Sequence, residues 1–389
     1  MIITSLLDLD FYKLTMMQAV FHHFPLIRVR YDFVNRNKED NLSICYSSVI
    51  DEIFQGLNNL KFTTEELNYL KTLSLFKDDF INYLSTFCLC PFDNVFVSKK
   101  NKNLSITIQG SWLDTILYET LILSIVSESY YSVMFPGSSS KISQKGIREL
   151  KRNIKNLSIC HLPIVEFGTR RRYSKYHQEN VIYELISNSN IKINGTSNVY
   201  SSKRFQIPVK GTQAHEYIQA MQGMDCNLKN SQKLALETWI QEYRGQLGIA
   251  LTDTLGIDAF LNDFDLYFAK IYDGLRHDSG DPYVWSNKVL NHYKKLGIDS
   301  RTKTLFYSDG LTLKKSEEIY NEYYKFANIS FGIGTKLTNN IPGIKPLNIV
   351  IKMVECNGQP VAKISDSSGK TICKDRLYLS YLKKVFDIK

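Results

Sequence analysis

The sequence predicts an α/β protein whose larger part is a closed barrel of parallel strands surrounded by helices. From about residue 160 onward, short apolar runs alternate with glycine or polar residues and then with helical patterns. Strands that alternate with helices in this way pair in parallel through right-handed crossovers. Seven such junctions occur without the GxGxxG fingerprint of a doubly wound sheet, and this favours a barrel.

Each predicted strand ends where the polar residues begin. The seven junctions lie in LPIVEFGTRRR, IKINGTSN, IPVKGTQAHE, LGIALTDT, KIYDGLRHDSGDP, KTLFYSDG and NISFGIGT. Helices are predicted after two of them, in VWSNKVLNHYKKLG and LTLKKSEEIYNEYYKF.

The two ends of the chain differ from this pattern. We expect an N-terminal α+β domain at 1–130, a barrel domain at 131–345, and C-terminal strands at 346–389 that return to the N-terminal domain. A buried helix is predicted at Leu113–Phe135. Hairpin turns are predicted at Asn101–Asn103 and at Asn357-Gly358.

Composition excludes several classes of protein. The formal net charge is +9, but no block of five or six like charges occurs, which disfavours nucleic-acid binding. An odd count of 7 cysteines without C-x-x-C pairs disfavours a disulfide framework and a zinc site. No signal-length or membrane-length apolar run is found, so we expect a soluble, cytoplasmic protein.

The carboxyl ends of the strands are where a barrel of this kind carries its active site. NISFGIGT ends in a Gly-x-Gly turn followed by Thr335. Gly332 and Gly334 lack Cβ, so backbone N–H groups there can approach a phosphate closely. A tight turn without a ligand is the equal alternative. Asp309, in Ser308-Asp309-Gly310, follows a similar but weaker pattern.

Charged residues are concentrated in the segment that runs from Arg276 through Asp278 to Pro282. Arginine can bind a phosphate through two hydrogen bonds, and a carboxylate can bind ribose hydroxyls or the water shell of magnesium. The alternative is a capped loop with internal salt bridges.

Three consecutive arginines, Arg170, Arg171 and Arg172, follow the strand VEF. Successive helical residues point about 100° apart, so all three cannot bind one ligand. Arg170 lies nearest the strand end and is the preferred candidate. A solvated basic helix start is the alternative, and the helix dipole disfavours it.

One histidine lies at a strand-to-helix junction, in Gly211-Thr212-Gln213-Ala214-His215-Glu216. A lone histidine is more often structural. Among predicted phosphate sites, however, the His215 imidazole could accept a phosphoryl group as a nucleophile. Asp253, at the end of the next strand, is placed to hold the other ring nitrogen.

Several common catalytic motifs are missing from the sequence. There is no GxxxxGK[ST] loop, no GxSxG and no HExxH, and this disfavours the P-loop, serine-hydrolase and zinc-protease classes. The acidic and threonine-rich phosphate loop of the commoner phosphoribosyltransferases is also not found.

Eight co-linear motifs resemble those of bacterial-type nicotinate phosphoribosyltransferases. They are DLDFYKLTMMQAVF, VEFGTRRRYS, GTSNVYSSKRF, KGTQAHEYIQA, LTDTLGIDAFLNDF, KIYDGLRHDSGDP, FYSDGLT and FGIGTKLTN. The final VECNGQPVAKISDSSGKT is similar too, whereas residues 36–110 match weakly. The resemblance implies the type II phosphoribosyltransferase fold, an irregular α/β barrel plus a domain built from both chain ends.

That resemblance also implies an activity. Enzymes of this family join nicotinate to 5-phosphoribosyl 1-diphosphate, with Mg²⁺, and ATP as co-substrate phosphorylates the histidine of GTxAHE, here His215. The products are nicotinate mononucleotide and diphosphate, in the salvage route to NAD. A homodimer is implied, with the active site at the subunit interface.

Residue roles follow from the motif match. Arg170, His215 and Arg276 would hold phosphates, and Asp278 and Asp309 the ribose hydroxyls. Gly332, Gly334 and Thr335 would bind the 5′-phosphate, and Ser197 would contact substrate. Phe167 would stack on the pyridine, and Tyr12 of the neighbouring subunit would close its other face.

The chain departs from the family at three positions. Gln213 stands where methionine is usual, Tyr217 where tryptophan is usual, and Lys336 adds a charge beside the phosphate loop. A nicotinamide or quinolinate enzyme of the same fold is the nearest alternative. A non-catalytic nucleotide-sensing barrel is an alternative of another class.

Overall fold

The fold consists of one antiparallel and one parallel β-sheet, with helices packed around both. The computed structural model describes residues 1–224, 227–367 and 369–388. In chain order, the strands are β1 (Arg28–Asn35), β2 (Val95–Lys100), β3 (Asn103–Ser111), β4 (Leu162–Glu166), β5 (Ile191–Thr196), β6 (Ile249–Leu251), β7 (Gly274–His277), β8 (Thr304–Tyr307), β9 (Asn328–Ile333), β10 (Ile349–Cys356) and β11 (Gln359–Pro360).

The α-helices fall into two groups along the chain. The first group precedes β4 and consists of Tyr12–His23, Tyr46–Asp51, Thr64–Thr72, Asp78–Thr86, Pro91–Asn94, Trp112–Thr115, Tyr118–Met134 and Ser139–Lys155. The second group consists of Lys175–Ile186, Val199–Phe205, His215–Ala220, Ser231–Tyr243, Ile257–Asp263, Leu266–Ile271, Pro282–Lys295, Leu313–Tyr323, Thr335–Thr338 and Arg376–Val385.

Six of the seven predicted junctions begin as strands of one parallel sheet. Its order is β5-β4-β9-β8-β7-β6, and every neighbouring pair is parallel. The two helices predicted from sequence are confirmed as Pro282–Lys295 and Leu313–Tyr323. The alternating α/β pattern is therefore confirmed.

The prediction of a closed barrel is wrong in one respect, because β5 and β6 do not pair. The seventh junction, IPVKGTQAHE, lies between these edges without forming a regular strand. The carbonyl of Pro208 accepts the Thr196 N–H (3.0 Å), and the Thr212 hydroxyl donates to the Ile249 carbonyl (3.0 Å). Proline has no N–H to donate, so a continuous ladder is not available here.

The antiparallel sheet joins the two ends of the chain. Its order is β11-β10-β1-β3-β2, and β10 pairs with β1 from Val29↔Cys356 to Asn35↔Ile349. The predicted return of the C-terminal strands to the N-terminal region is thus observed. The domain boundaries at 130/131 and 345/346 remain predictions.

Both predicted hairpin turns are found. Asn101 connects β2 and β3 with φ 52°, and Asn357-Gly358 connects β10 and β11 with φ of 50° and 74°. Positive φ at both central residues is the requirement of a type I′ turn, which Asn-Gly meets without strain. The predicted helix at Leu113–Phe135 is observed as the short helix Trp112–Thr115 followed by the buried helix Tyr118–Met134.

One apolar core runs from the N-terminal residues through both sheets, from Ile3 to Val361. A small second cluster, which includes Leu255, Leu382 and Phe386, lies under the C-terminal helix. Within the described residues, no helix is long and apolar enough to cross a membrane. The six described cysteines are free, and Cys226 lies outside the described residues.

Candidate active site

A cavity of about 530 Å³ opens at the carboxyl ends of the parallel strands, facing β10 of the antiparallel sheet. Most of the residues predicted from sequence lie on its wall. They are Tyr12, Phe167, Arg170, His215, Arg276, Asp278, Asp309, Gly334 and Thr335. Asp253 and Gly332 do not line the cavity but contact residues that do, and Ser197 is linked to the lining residue Arg170 through Asp10.

The pairing of His215 with Asp253 is observed as predicted. His215 is the first residue of the helix His215–Ala220, and its Nε2 lies 2.7 Å from Oδ1 of Asp253. The residue is 6 % exposed, and Nδ1 makes no hydrogen bond to the described residues. The imidazole is therefore held by one nitrogen while the other is free to react.

Two further side chains, which the sequence did not predict as partners, contact Asp253. The Ser279 hydroxyl donates to Oδ2 (2.6 Å), and the Lys363 ammonium lies 2.8 Å from the same oxygen. Burial opposes ionisation, but the His215 ring and Lys363 hold the pKa of Asp253 well below its usual range. Asp253 is thus a buried, ionised carboxylate.

His215 is neutral at physiological pH. Burial, reinforced by the nearby Lys363 charge, lowers the pKa of His215 to about 4, although Asp253 acts in the opposite direction. The Nε2 proton is assigned to the contact with Asp253, which leaves a lone pair on Nδ1. A neutral ring with that tautomer is a nucleophile.

Arg276 and Asp278 are paired across the turn after β7. Arg276 Nη2 lies 3.1 Å from Asp278 Oδ1, and its Nε donates to the Ser308 hydroxyl (2.8 Å). Ser308 in turn donates to Asp278 (2.7 Å). Asp281, in the same segment, instead caps the helix Pro282–Lys295 by accepting two of its N–H groups.

Phe167 forms an aromatic platform, and the two glycines of GIG make room for it. A Cβ on Gly332 would lie 2.5 Å from the Phe167 ring, and one on Gly334 would lie 2.8 Å from its carbonyl oxygen. The ring also stacks on Phe306 at 5.5 Å. Packing against Phe167 therefore explains both glycines, while their phosphate role remains a prediction.

The three arginines divide as the spacing predicted. Arg170 and Arg171 line the cavity, whereas Arg172 is fully buried behind it. Arg172 binds both oxygens of Asp8 (2.6 and 2.9 Å) and Glu128 (2.7 Å). Arg172 is accordingly structural, and it fixes the loop that carries the other two.

Glu166, the last residue of β4, ties this loop to the end of β5. Its side chain is fully buried and accepts hydrogen bonds from the Gly168 N–H (2.5 Å), the Thr196 hydroxyl (2.6 Å) and the Gln178 amide (3.1 and 3.2 Å). Burial raises the pKa of Glu166 to about 7 against these hydrogen bonds. None of its described partners is a cation.

Tyr12 lies on the wall of the cavity in its own chain. The resemblance implies that a neighbouring subunit supplies this tyrosine, and that remains a prediction. The Tyr12 ring lies 5.8 Å from the Arg170 guanidinium, and its hydroxyl lies 3.4 Å from Glu119. A homodimer remains a prediction.

A buried ion-pair cluster beside Tyr12 was not predicted. Lys13 is fully buried and lies 2.7 Å from both Glu119 and Glu216. Glu119 also lies 3.6 Å from Arg170. Lys13 belongs to the motif DFYK, and a charged residue inside an otherwise apolar helix was the available signal.

The remaining predicted residues are also paired. Both oxygens of Asp309 lie 2.8 Å from the Lys370 ammonium. The Ser197 hydroxyl donates to Asp10 (2.6 Å), whose other oxygen lies 3.4 Å from Arg170. Ser197 therefore acts behind the wall, as a support for Arg170.

A cavity at the carboxyl ends of parallel strands, rich in cations and containing a buried histidine–carboxylate pair, defines an α/β enzyme for phosphorylated substrates. Comparison with known proteins gives the particular family. Residues 162–389 match the nicotinate phosphoribosyltransferase family and residues 7–127 match its N-terminal domain. The chain belongs to the nicotinate phosphoribosyltransferase family.

Individual relatives agree over the full chain. A nicotinate phosphoribosyltransferase from Burkholderia ambifaria is 45% identical over 100% of this chain and 98% of its own. The crystal structure of the Vibrio cholerae enzyme has a TM-score of 0.92 at 40% identity, covering 100% of this chain and 94% of that one. The Porphyromonas gingivalis structure has a TM-score of 0.87 at 32% identity, with 100% of both chains covered.

Proposed function

We propose that this chain transfers the phosphoribosyl group of 5-phosphoribosyl 1-diphosphate to nicotinate and couples the transfer to ATP hydrolysis through a phosphohistidine at His215. Water hydrolyses the N–P bond of the phosphohistidine after the transfer, so the products are nicotinate mononucleotide, diphosphate, ADP and phosphate, and His215 is regenerated. The observation that carries the proposal is that His215 lines the cavity, with its pKa lowered to about 4 and with Nε2 held by Asp253 while Nδ1 has no hydrogen-bond partner among the described residues.

In the phosphorylation step, the Nδ1 lone pair attacks the γ-phosphorus of ATP and ADP departs. The ring becomes positively charged as the N–P bond forms. Asp253 stabilises that charge at 2.7 Å, and Lys363 and Ser279 keep Asp253 in place. The positive charge that develops on the phosphoryl-accepting ring is therefore balanced by Asp253, and no strong base is needed.

In the transfer step, the pyridine nitrogen attacks the anomeric carbon as the C–O bond to diphosphate breaks. Positive charge develops on the ribose and negative charge on the leaving group. Asp278, Asp309, Arg276 and Arg171 line the cavity, where the carboxylates would accept hydrogen bonds from ribose hydroxyls and the arginines would neutralise diphosphate. Phe167 and Tyr12 lie on the same cavity wall and would flank the pyridine, which orients its nitrogen.

Magnesium fits this cavity chiefly as a companion of the substrate phosphates. Asp278 has Arg276 as its partner and Asp309 has Lys370, so neither is a free carboxylate. Mg²⁺ keeps several waters and is commonly bound through one or two carboxylates plus phosphates. Asp278 and Asp309 would accept hydrogen bonds from that water shell, and the ion would neutralise phosphate charge.

The test measures nicotinate mononucleotide formation with and without Mg-ATP for the wild type and His215→Ala. We expect ATP to stimulate the wild type and not the variant. His177→Gln is the matched control, because His177 is also buried, with its pKa lowered to about 4 by burial, but it does not line the cavity.

Two results would contradict the proposal in different ways. Turnover of nicotinamide but not nicotinate would show that nicotinate is not the substrate, although the chain transfers a phosphoribosyl group. Wild-type protein without turnover on any pyridine carboxylate or amide would show that the activity itself is wrong.

A further inference from the structure

The cavity contains more cations than its carboxylates can pair. Its wall carries eight basic residues against four acidic ones, Glu119, Glu216, Asp278 and Asp309. Four of the basic residues have a carboxylate partner within 4.0 Å, namely Arg170, Arg276, Lys363 and Lys370. The other four, which have no such partner among the described residues, are Arg36, Arg171, Lys336 and Lys352.

Lys352 differs from the other three lysines of the wall. Lys363 and Lys370 each lie 2.8 Å from a carboxylate oxygen, which ties up the ammonium group. Lys336 is solvent-exposed. Lys352 lies on β10, is half-buried, lines the cavity and has no ion-pair partner in the part of the chain that the structure describes.

The surroundings of Lys352 favour its neutral amine. Burial lowers the pKa of Lys352 to about 8, and the charges of Lys363 and Arg170 act in the same direction against Glu119. A neutral lysine amine on a cavity wall is the group that forms imines with carbonyl compounds.

The rest of the wall defines the carbonyl compound. Phe167 and Tyr12 offer aromatic faces to a flat ring. The unpaired guanidinium groups of Arg36 and Arg171 offer donors to a phosphate. We propose that Lys352 is a site of reversible imine formation with aromatic aldehydes that carry a phosphate group. This site goes beyond the proposed function and would block the substrate cavity.

The reaction needs no oxidant or further reactant. The Lys352 nitrogen attacks the aldehyde carbon, and the carbonyl π electrons move to oxygen. A proton passes from nitrogen to that oxygen to give a carbinolamine. Loss of water then forms the C=N bond, and hydrolysis reverses the sequence.

The test uses pyridoxal 5′-phosphate as the probe on the wild-type full-length chain at pH 8, followed by borohydride reduction and peptide mass spectrometry. We expect Lys352 to be labelled at least roughly tenfold more than Lys336, Lys363 or Lys370, a difference of about 1.4 kcal/mol. Inorganic pyrophosphate should reduce the labelling. Lys352→Arg, which keeps the charge, should lose the labelled peptide.

Either of two results would overturn the inference. Preferential labelling of Lys336, or equal labelling of exposed surface lysines, would show that Lys352 is not the reactive amine. Equal labelling by pyridoxal without its phosphate would show that the ligand class is wrong. Because wild-type labelling requires no catalysis, failure here is distinguishable from failure of the proposed function.

Discussion

Two buried carboxylates lie at the carboxyl ends of strands of the same sheet, each hydrogen-bonded to a residue that lines the cavity, and their environments shift their pKa values in opposite directions. Asp253 contacts Lys363, Ser279 and His215, and its pKa is held well below the usual range. Glu166 receives hydrogen bonds from neutral donors only, and its pKa is raised to about 7. Burial is similar, so the charge of the partners decides the ionisation state.

The opposite pKa shifts of Asp253 and Glu166 fit two different roles of these carboxylates. In the proposed mechanism, the fixed negative charge of Asp253 stabilises the His215 ring, which becomes positive during phosphoryl transfer. Glu166 is an acceptor without a charged partner, and it holds the backbone of Gly168 and the end of β5 in place. Under the proposed function, Asp253 supports phosphoryl transfer and Glu166 supports the shape of the aromatic platform at Phe167.

The largest effect is expected from Asp253→Asn. Loss of the charge leaves Lys363 unpaired and removes the group that fixes the His215 tautomer. We expect the rate of His215 phosphorylation to fall by roughly 10²–10⁴-fold. The affinity for nicotinate should change little, which equilibrium binding would check. A fall of less than about threefold in rate would contradict the role of Asp253.

Glu166→Gln should act on the aromatic platform at Phe167 rather than on His215. The amide offers a donor where the carboxylate accepted the Gly168 N–H, so the Phe167–Gly168 backbone must shift. We expect KM for nicotinate to rise by about tenfold, with His215 phosphorylation unaffected. Glu128→Gln is the control, because Glu128 holds Arg172 of the same loop without contacting Phe167. A loss of His215 phosphorylation in Glu166→Gln as large as its rise in KM would show that Glu166 and Asp253 do not act independently.

Glu166→Gln also tests whether the pKa of Glu166 is raised in the folded protein. A carboxyl whose pKa is raised in the folded state contributes stability at low pH and loses it as pH rises from about 4.5 through about 7. The wild type should therefore lose on the order of 3 kcal/mol over this window relative to Glu166→Gln. Denaturant unfolding at pH 5 and pH 7.5 would measure it. If the free energy of unfolding of the wild type and of Glu166→Gln changed with pH by the same amount, the raised pKa of Glu166 would be contradicted.

The smallest effect is expected at Gln213, two residues before His215. Its amide is fully buried and makes no hydrogen bond of good geometry to the described residues, although it lies beside Tyr272. Gln213→Met should remove this unsatisfied polar group and stabilise the fold by about 1–3 kcal/mol. Calorimetry should show a higher Tm. An unchanged or lower Tm would indicate that a water satisfies the amide.

Local sequence patterns were enough to predict much of the fold. Strand ends, the Asn-Gly turn at Asn357 and the helix Pro282–Lys295 follow from local chemistry, since glycine, proline and asparagine restrict the backbone directly. Closure of the barrel depends instead on whether the Pro208 segment pairs with both edges. This pairing is a long-range contact, and the alternation of strands and helices along the sequence does not predict it.

The site was predictable where its residues end strands and not where they approach from elsewhere. Asp253, Arg276 and Asp278 lie at the carboxyl ends of parallel strands, so the topology brings them together, and His215 follows the irregular segment between β5 and β6. Lys363, which pairs with Asp253, comes from the chain after β11 and is 110 residues away from it. For Gly332 and Gly334 the motif was found, but packing against Phe167 was not foreseen.

The most direct test of the account is to locate the phosphate after incubation of the wild-type chain with Mg-ATP. The account predicts an acid-labile phosphate on Nδ1 of His215, because Asp253 occupies Nε2. Phosphorus NMR of the labelled protein, with His215→Ala as the blank, distinguishes the two ring positions. Phosphate on Nε2, or on another residue, would contradict the assignment of His215 and Asp253.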